Sequence, residues 1–95
     1  MGATRSGQAA AAVAKDGTLQ HGKGVVAVHR TGAGRYSITL ESHINATGTV
    51  PQTTLNQSAD WRGEIFTKII DNFTIGVLTG VNGAAADEPF YLLVP

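Results

Sequence analysis

Three histidines, a serine within strand reach of one of them, and a tryptophan set between two charges are the side chains whose types could do chemistry. His21, His29 and His43 stand 8 and 14 residues apart. A strand holds paired metal ligands at i and i+2, so this spacing fits no compact site and suits solvent-facing positions better. No metal and no cofactor is expected. His29 and Ser37 face each other if the residues between them form a hairpin, with Cβ atoms about 5 Å apart. Such a pair is the geometry of a nucleophile and its base. A working triad also needs an orienting carboxylate and an oxyanion hole. Glu41 lies four residues along the strand from Ser37, about 13 Å at strand rise, and no G-x-S-x-G elbow is present. The chain is therefore read as non-enzymatic, and an enzyme using His29 and Ser37 survives only as a site shared between subunits.

Asp60-Trp61-Arg62 is the segment with the best chemistry for binding. It sits in a polar stretch from Asn56 to Gly63, with Gln57, Ser58 and Glu64 close by. A large aromatic beside hydrogen-bonding groups is a common grip on a sugar face or a partner peptide. The alternative is that Trp61 tucks under its own loop and plugs one end of the domain, which the high average burial of Trp slightly favours. Tyr36 is a second candidate sugar platform. Gly32 and Gly34 resemble the start of a phosphate loop only superficially, because no helix follows to aim its N-terminus at a phosphate. Asn45-Ala46-Thr47, Asn56-Gln57-Ser58 and Asn72-Phe73-Thr74 fit the glycosylation sequon. Without a visible signal segment they read as turn asparagines.

The elements that must position these residues follow from composition. Ninety-five residues suit one domain. Val, Ile and Thr together number 25, Gly numbers 12, and Met occurs once, which is the composition of short strands joined by glycine turns. Seven basic residues balance seven acidic ones, so there is no electrostatic footprint for nucleic acid or an anionic bilayer. No apolar run approaches a membrane span, and Ala9 to Ala14 is too short and too weakly apolar for a signal-peptide core. Cysteine is absent, which excludes disulfides and thiolate chemistry and leaves the redox compartment open.

Val25 to Ser42 carries the firmest structural reading. Gly32-Ala33-Gly34 separates two runs of period 2, and a three-residue loop pairs positions summing to 66. Val28 then faces Ile38, Val26 faces Leu40 and Arg30 faces Tyr36 on an apolar side, while His29 faces Ser37 on a polar one. Further strands are predicted at Ala11 to Lys15, turned by Asp16-Gly17, and at Thr49 to Leu55, where Pro51 suggests an edge. A short helix over Ala9 to Lys15 is the second choice there. Ile65 to Ile70 and Phe73 to Thr79 form a hairpin if Asp71-Asn72 turns with αL residues. Gly80 to Glu88 reads as a loop, and Phe90 to Val94 as the last strand. Residues 1–10, small and polar, are expected to be flexible, and residues 11–95 to form the domain.

The last strand is apolar at five consecutive positions, where a sheet with one wet face would alternate. Phe73, Ile75, Val77, Phe90, Leu92 and Val94 can line an interior. Ile70, Leu78, Tyr91 and Leu93 are then left facing outward. A domain this size buries only about 64% of its chain surface, so another copy of the chain is the favoured cover for that outward set, and the N-terminal segment the alternative.

The segments K-D-G-T-L, G-x-G-V-V-A-V-H-R-T-G-A-G-R-Y-S-I-T-L, N-F-T-I-G-V-L-T-G and D-E-P-F-Y-L-L-V, spread over Ala11 to Pro95, resemble a small all-β domain of bacterial surface proteins and phage tail-fibre tips. Those domains are similar to C1q/TNF-like jelly rolls. The resemblance implies a compact β-sandwich, commonly trimeric, used for assembly or for binding a surface ligand. Its motifs are structural and none is catalytic. The expectation is an antiparallel β-sandwich, jelly-roll or Greek-key-like, of about seven strands. Its function is expected to be that of a structural or receptor-binding module assembling as a homo-oligomer, trimer favoured, through Ile70, Leu78, Tyr91 and Leu93. A small lectin using Asp60, Trp61, Arg62 and Tyr36 is the alternative. Its expected partners are copies of itself and a cell-surface glycan or protein receptor, with no nucleic acid and no membrane insertion. A virion or extracellular location is favoured.

Overall fold

The structure, a computed structural model, describes residues 8–95. Nine strands form two antiparallel sheets: β1 (Ala9–Val13), β2 (Leu19–Lys23), β3 (Val25–Gly32), β4 (Arg35–Leu40), β5 (Gln52–Leu55), β6 (Gly63–Asp71), β7 (Thr74–Val81), β8 (Ala84–Ala85) and β9 (Phe90–Val94). The first sheet has the order β2-β1-β9-β5, and the second runs β3-β4-β7-β6, with β8 pairing β7. This is a β-sandwich with nine strands in place of the expected seven. The central strands of each sheet face one another across the core. Ala9, Ala11 and Val13 of β1 and Phe90, Leu92 and Val94 of β9 pack toward Tyr36, Ile38 and Leu40 of β4 and Ile75 and Val77 of β7. Each of the larger aliphatic side chains and Phe90 contributes about 1.5–3 kcal/mol by leaving water.

The β3–β4 hairpin keeps the expected register through its middle, pairing Ala27 with Thr39, Val28 with Ile38, His29 with Ser37 and Arg30 with Tyr36. Both ends depart from it. Val25, not Val26, faces Leu40, and Gly32 faces Arg35, because the ladder shifts at Val26 and at Thr31. Each shift inserts one unpaired residue and re-aims the chain, so Val26, expected inside, is exposed. The connection itself shrinks to Ala33-Gly34, with Gly34 at φ +67.

The first strand runs Ala9–Val13, two residues earlier than expected, and it is extended rather than helical because its amides pair with both β2 and β9. The flexibility expected of residues 1–10 falls mostly outside the described residues. Leu19–Lys23, unforeseen as a strand, completes the hairpin that Asp16-Gly17 begins. β5 is an edge strand starting just after Pro51, in line with the missing proline donor.

At the β6–β7 turn the αL expectation fails: Asn82 is the only non-glycine with positive φ among the described residues. Instead the Asp71 carboxylate accepts the Phe73 N–H at 2.9 Å and closes the turn locally. Phe73, expected inside, is exposed at that turn. The stretch from Gly80 to Glu88 is not all loop, since Asn82 (φ 53) and Gly83 (φ 82) turn β7 into β8. Positive φ at both central residues is the signature of a type I′ hairpin.

Candidate functional site

Most connections gather at one end of the sandwich, where a hydrogen-bond network holds them together. The Asp87 carboxylate accepts the Gly34 N–H at 2.7 Å and pairs with Arg30 Nε at 2.8 Å. Arg30 and then the Gly34 amide hold the Asp87 carboxyl below its ordinary range. The buried Glu88 accepts the Asp60 N–H at 3.2 Å. The Tyr36 hydroxyl donates to the Lys15 carbonyl at 2.6 Å, and burial pushes its pKa upward.

The loop from Asn56 to Arg62 is stiffened by its own polar residues. Asn56 Oδ1 accepts from the Ser58 N–H at 2.9 Å, and the Asn56 N–H donates to the Pro89 carbonyl at 2.9 Å. The Asp60 carboxylate accepts from the Arg62 N–H and Nε at 2.9 and 3.1 Å, and from Nη2 at 2.9 Å. That guanidinium keeps the Asp60 carboxyl low. Trp61 stands between these two, 91% exposed. The plug reading is therefore overturned: the Asp60–Arg62 clamp turns the indole outward. Beside the loop lies an open depression of about 590 Å³, lined by Lys15, Gln20, Asn56, Ser58, Asp60 and Asp87 among others. Polar groups thus flank an exposed aromatic.

Tyr36 does not belong to that surface. It is 3% exposed and stacks edge-on to Phe90 at 5.0 Å between ring centres. The hairpin register had placed it on the apolar side, and that side is the interior, so it cannot serve as a sugar platform.

His29 and Ser37 are register partners on the outward face of the second sheet, as expected. Among the described residues His29 has no hydrogen-bond or ion-pair partner to orient it as a base, and Glu41, just past the end of β4, lies 3.6 Å from His43 Nδ1 instead. Among the described residues no group of three or more His, Asp or Glu could hold a metal ion. The sequon residues Asn45 and Asn56 use their side chains to cap local turns.

The four residues expected to form one oligomer face do not share a face. Ile70 and Leu78 lie on the outer side of the second sheet, because Leu78 pairs outward with Phe66 and Arg35. Tyr91 and Leu93 lie on the outer side of the first sheet, 37% and 41% exposed. The reason is topological, since β9 returns to the first sheet while β6 and β7 belong to the second. Around Tyr91 and Leu93 the register builds two rows. One runs His21–Ala12–Tyr91–Thr54 and the other Lys23–Ala10–Leu93–Gln52. The middle of this face is apolar and low, being alanine beside Tyr91 and Leu93, and its flanks are polar. No sequence argument singled out Ala10 and Ala12, although their i, i+2 spacing opposite Tyr91 and Leu93 was readable once β1 and β9 were paired.

Compared with known proteins, the chain matches no family model, no curated protein and no solved structure.

Proposed function

We propose that this chain is a non-enzymatic β-sandwich module that assembles with copies of itself through the outer face of its first sheet, as a structural or receptor-binding unit. The observation that carries the reading is the make-up of that face: Ala10, Ala12, Tyr91 and Leu93 at its centre, with His21, Lys23, Gln52 and Thr54 around them. Alanines let a second backbone approach closely, and an apolar centre with a polar rim is the anatomy of a subunit contact. An assembly of three is what the resemblance to fibre-tip and C1q/TNF-like domains implies.

Mass in solution, measured over a range of concentrations, tests the reading. The expected species is a multiple of three 9.9 kDa chains, and Leu93→Asp, which places a charge at the centre of the contact, should leave no such multiple. A single 9.9 kDa species at every concentration would remove the proposal.

A second reading is supported by Trp61. An indole 91% exposed on a loop stiffened by its own side chains, beside a polar depression, has the build of a carbohydrate or peptide grip. A glycan array read with the natural chain and with Trp61→Ala decides it. Binding that vanishes with the indole supports a lectin; no binding, or binding indifferent to the substitution, rejects one.

A further inference from the structure

The second sheet ends on an unusual edge. β6 is nine residues long and contains no proline, and among the described residues β7 is the one strand that pairs with it in a backbone ladder, while on its inward side the Thr67 hydroxyl bonds the Thr53 hydroxyl of β5. Alternate amides and carbonyls along it therefore point off the sheet. The other edges are blunted. β3 is shifted at Val26 and Thr31, β5 has four residues and follows Pro51, and β2 has five. Along β6 the only irregularity falls near its end, between Ile69 and Asp71.

The residues at this edge are self-complementary. Glu64, Phe66 and Lys68 point to the outer face, Phe66 being 61% exposed, while Ile65 and Thr67 point inward. An antiparallel partner strand of the same sequence, related by a two-fold axis at Phe66, places Phe66 against Phe66 and Glu64 against Lys68, twice. No nearby register does this. Centring on Glu64 or on Lys68 sets like charges face to face, and centring on Ile65 puts Lys68 opposite Arg62. One Glu64 oxygen already accepts the Gly83 N–H at 2.8 Å, leaving the other for a partner's ammonium. Lys68 runs its stem over Gly76, where a Cβ would lie 3.3 Å from Lys68 Cγ.

We infer that β6 pairs with β6 of a second copy across a two-fold axis at Phe66, joining two second sheets edge to edge. This contact is separate from the one proposed for the first sheet and needs neither Tyr91 nor Leu93. The partner is this chain itself, recognised by backbone ladder bonds and by the Glu64–Lys68 register.

The test uses Leu93→Asp as background, so that failure of either contact is read alone. The chain has no cysteine, which makes Phe66→Cys a clean probe: two Cβ atoms about 5 Å apart across the pair are close to disulfide span. Mild oxidation should link Phe66→Cys chains at least about tenfold faster than Phe73→Cys, a second exposed position in the same hairpin, 44% against 61% accessible. Lys68→Glu and Glu64→Lys should each weaken two-chain association about tenfold by opposing like charges. An equimolar mixture of these two variants should restore it, because each then meets its complement. Equal cross-linking at both positions, or a mixture that associates no better than its parts, overturns the inference.

Discussion

Gly34 is where two parts of the loop network meet, and a three-glycine series measures what that junction is worth. Its N–H donates to Asp87, its carbonyl accepts from the Thr79 N–H at 2.8 Å, and its φ is +67. A Cβ there would collide with the Thr79 carbonyl and lie 2.9 Å from the Ala86 nitrogen. Gly34→Ala therefore combines a left-handed backbone penalty of about 1–2 kcal/mol with displacement of one or two hydrogen bonds at about 1–2 kcal/mol each. The sum, about 2–6 kcal/mol, is a large share of the about 5–14 kcal/mol expected for a domain of this length. Gly83→Ala shares the positive φ, +82, but its Cβ meets nothing within 4 Å, so the backbone penalty alone, about 1–2 kcal/mol, is expected. Gly48→Ala has open space and no positive φ, and should be neutral or stabilising by up to about 1 kcal/mol. Urea and thermal melts by circular dichroism, at one fixed protein concentration because the proposed self-association would shift them, give the order. At about 4–8 °C per kcal/mol, Gly34→Ala should melt at least about 8 °C lower. A Gly34→Ala variant within about 1 kcal/mol of Gly83→Ala, leaving no more than the backbone penalty the two share, would refute the steric argument.

Tyr36→Phe should lose about 1–2 kcal/mol, because the Lys15 carbonyl loses its donor while the edge-on contact with Phe90 stays. The urea slope should not change. Asp87 gives an acid dependence whose sign follows from its lowered pKa: the stabilisation is in place above the unfolded carboxylate value, about 3.9, and is lost as pH falls through the lower folded value. Asp87→Asn should flatten that limb in melts taken from pH 6 downward, and an unchanged limb would assign it to other carboxylates.

The parts of this fold that depend on local pattern were legible, and those that depend on tertiary closure were not. The middle of the β3–β4 ladder followed from alternation alone, because a one-residue slip would have exchanged its faces. Its ends did not, since the shifts at Val26 and Thr31 add a residue without changing the composition of either strand. Leu19–Lys23 has no alternation to detect, being polar on both sides at a sheet edge. Asn82-Gly83 was a missed signal of the opposite kind, an explicit hairpin dipeptide hidden among alanines. For the sites, residue type identified Asp60-Trp61-Arg62, and only the geometry of their mutual hydrogen bonds decided which way the indole points. The outward apolar set does point outward, with Ile70, Tyr91 and Leu93 exposed and Leu78 half-buried, but assigning it to one face required knowing which sheet β9 joins.

That sheet assignment also separates the two proposed roles in space. The proposed contacts lie on the sheets, away from the loop end, and that end is held from within: Asp87 ties Gly34 to Arg30, Tyr36 ties Lys15, and Glu88 ties Asp60 beneath Trp61. A rigid exposed aromatic loses little conformational freedom when it binds, which favours affinity without added area. Glu88→Ala examines this without touching the indole. Freed of its acceptor, the Asp60 N–H no longer anchors the loop, so the fluorescence anisotropy of Trp61 should fall while the far-ultraviolet spectrum is kept, and any glycan affinity should weaken with it. Anisotropy that does not move would show that the Asp60–Arg62 clamp holds the loop unaided, and Glu88 would then have no part in presenting Trp61.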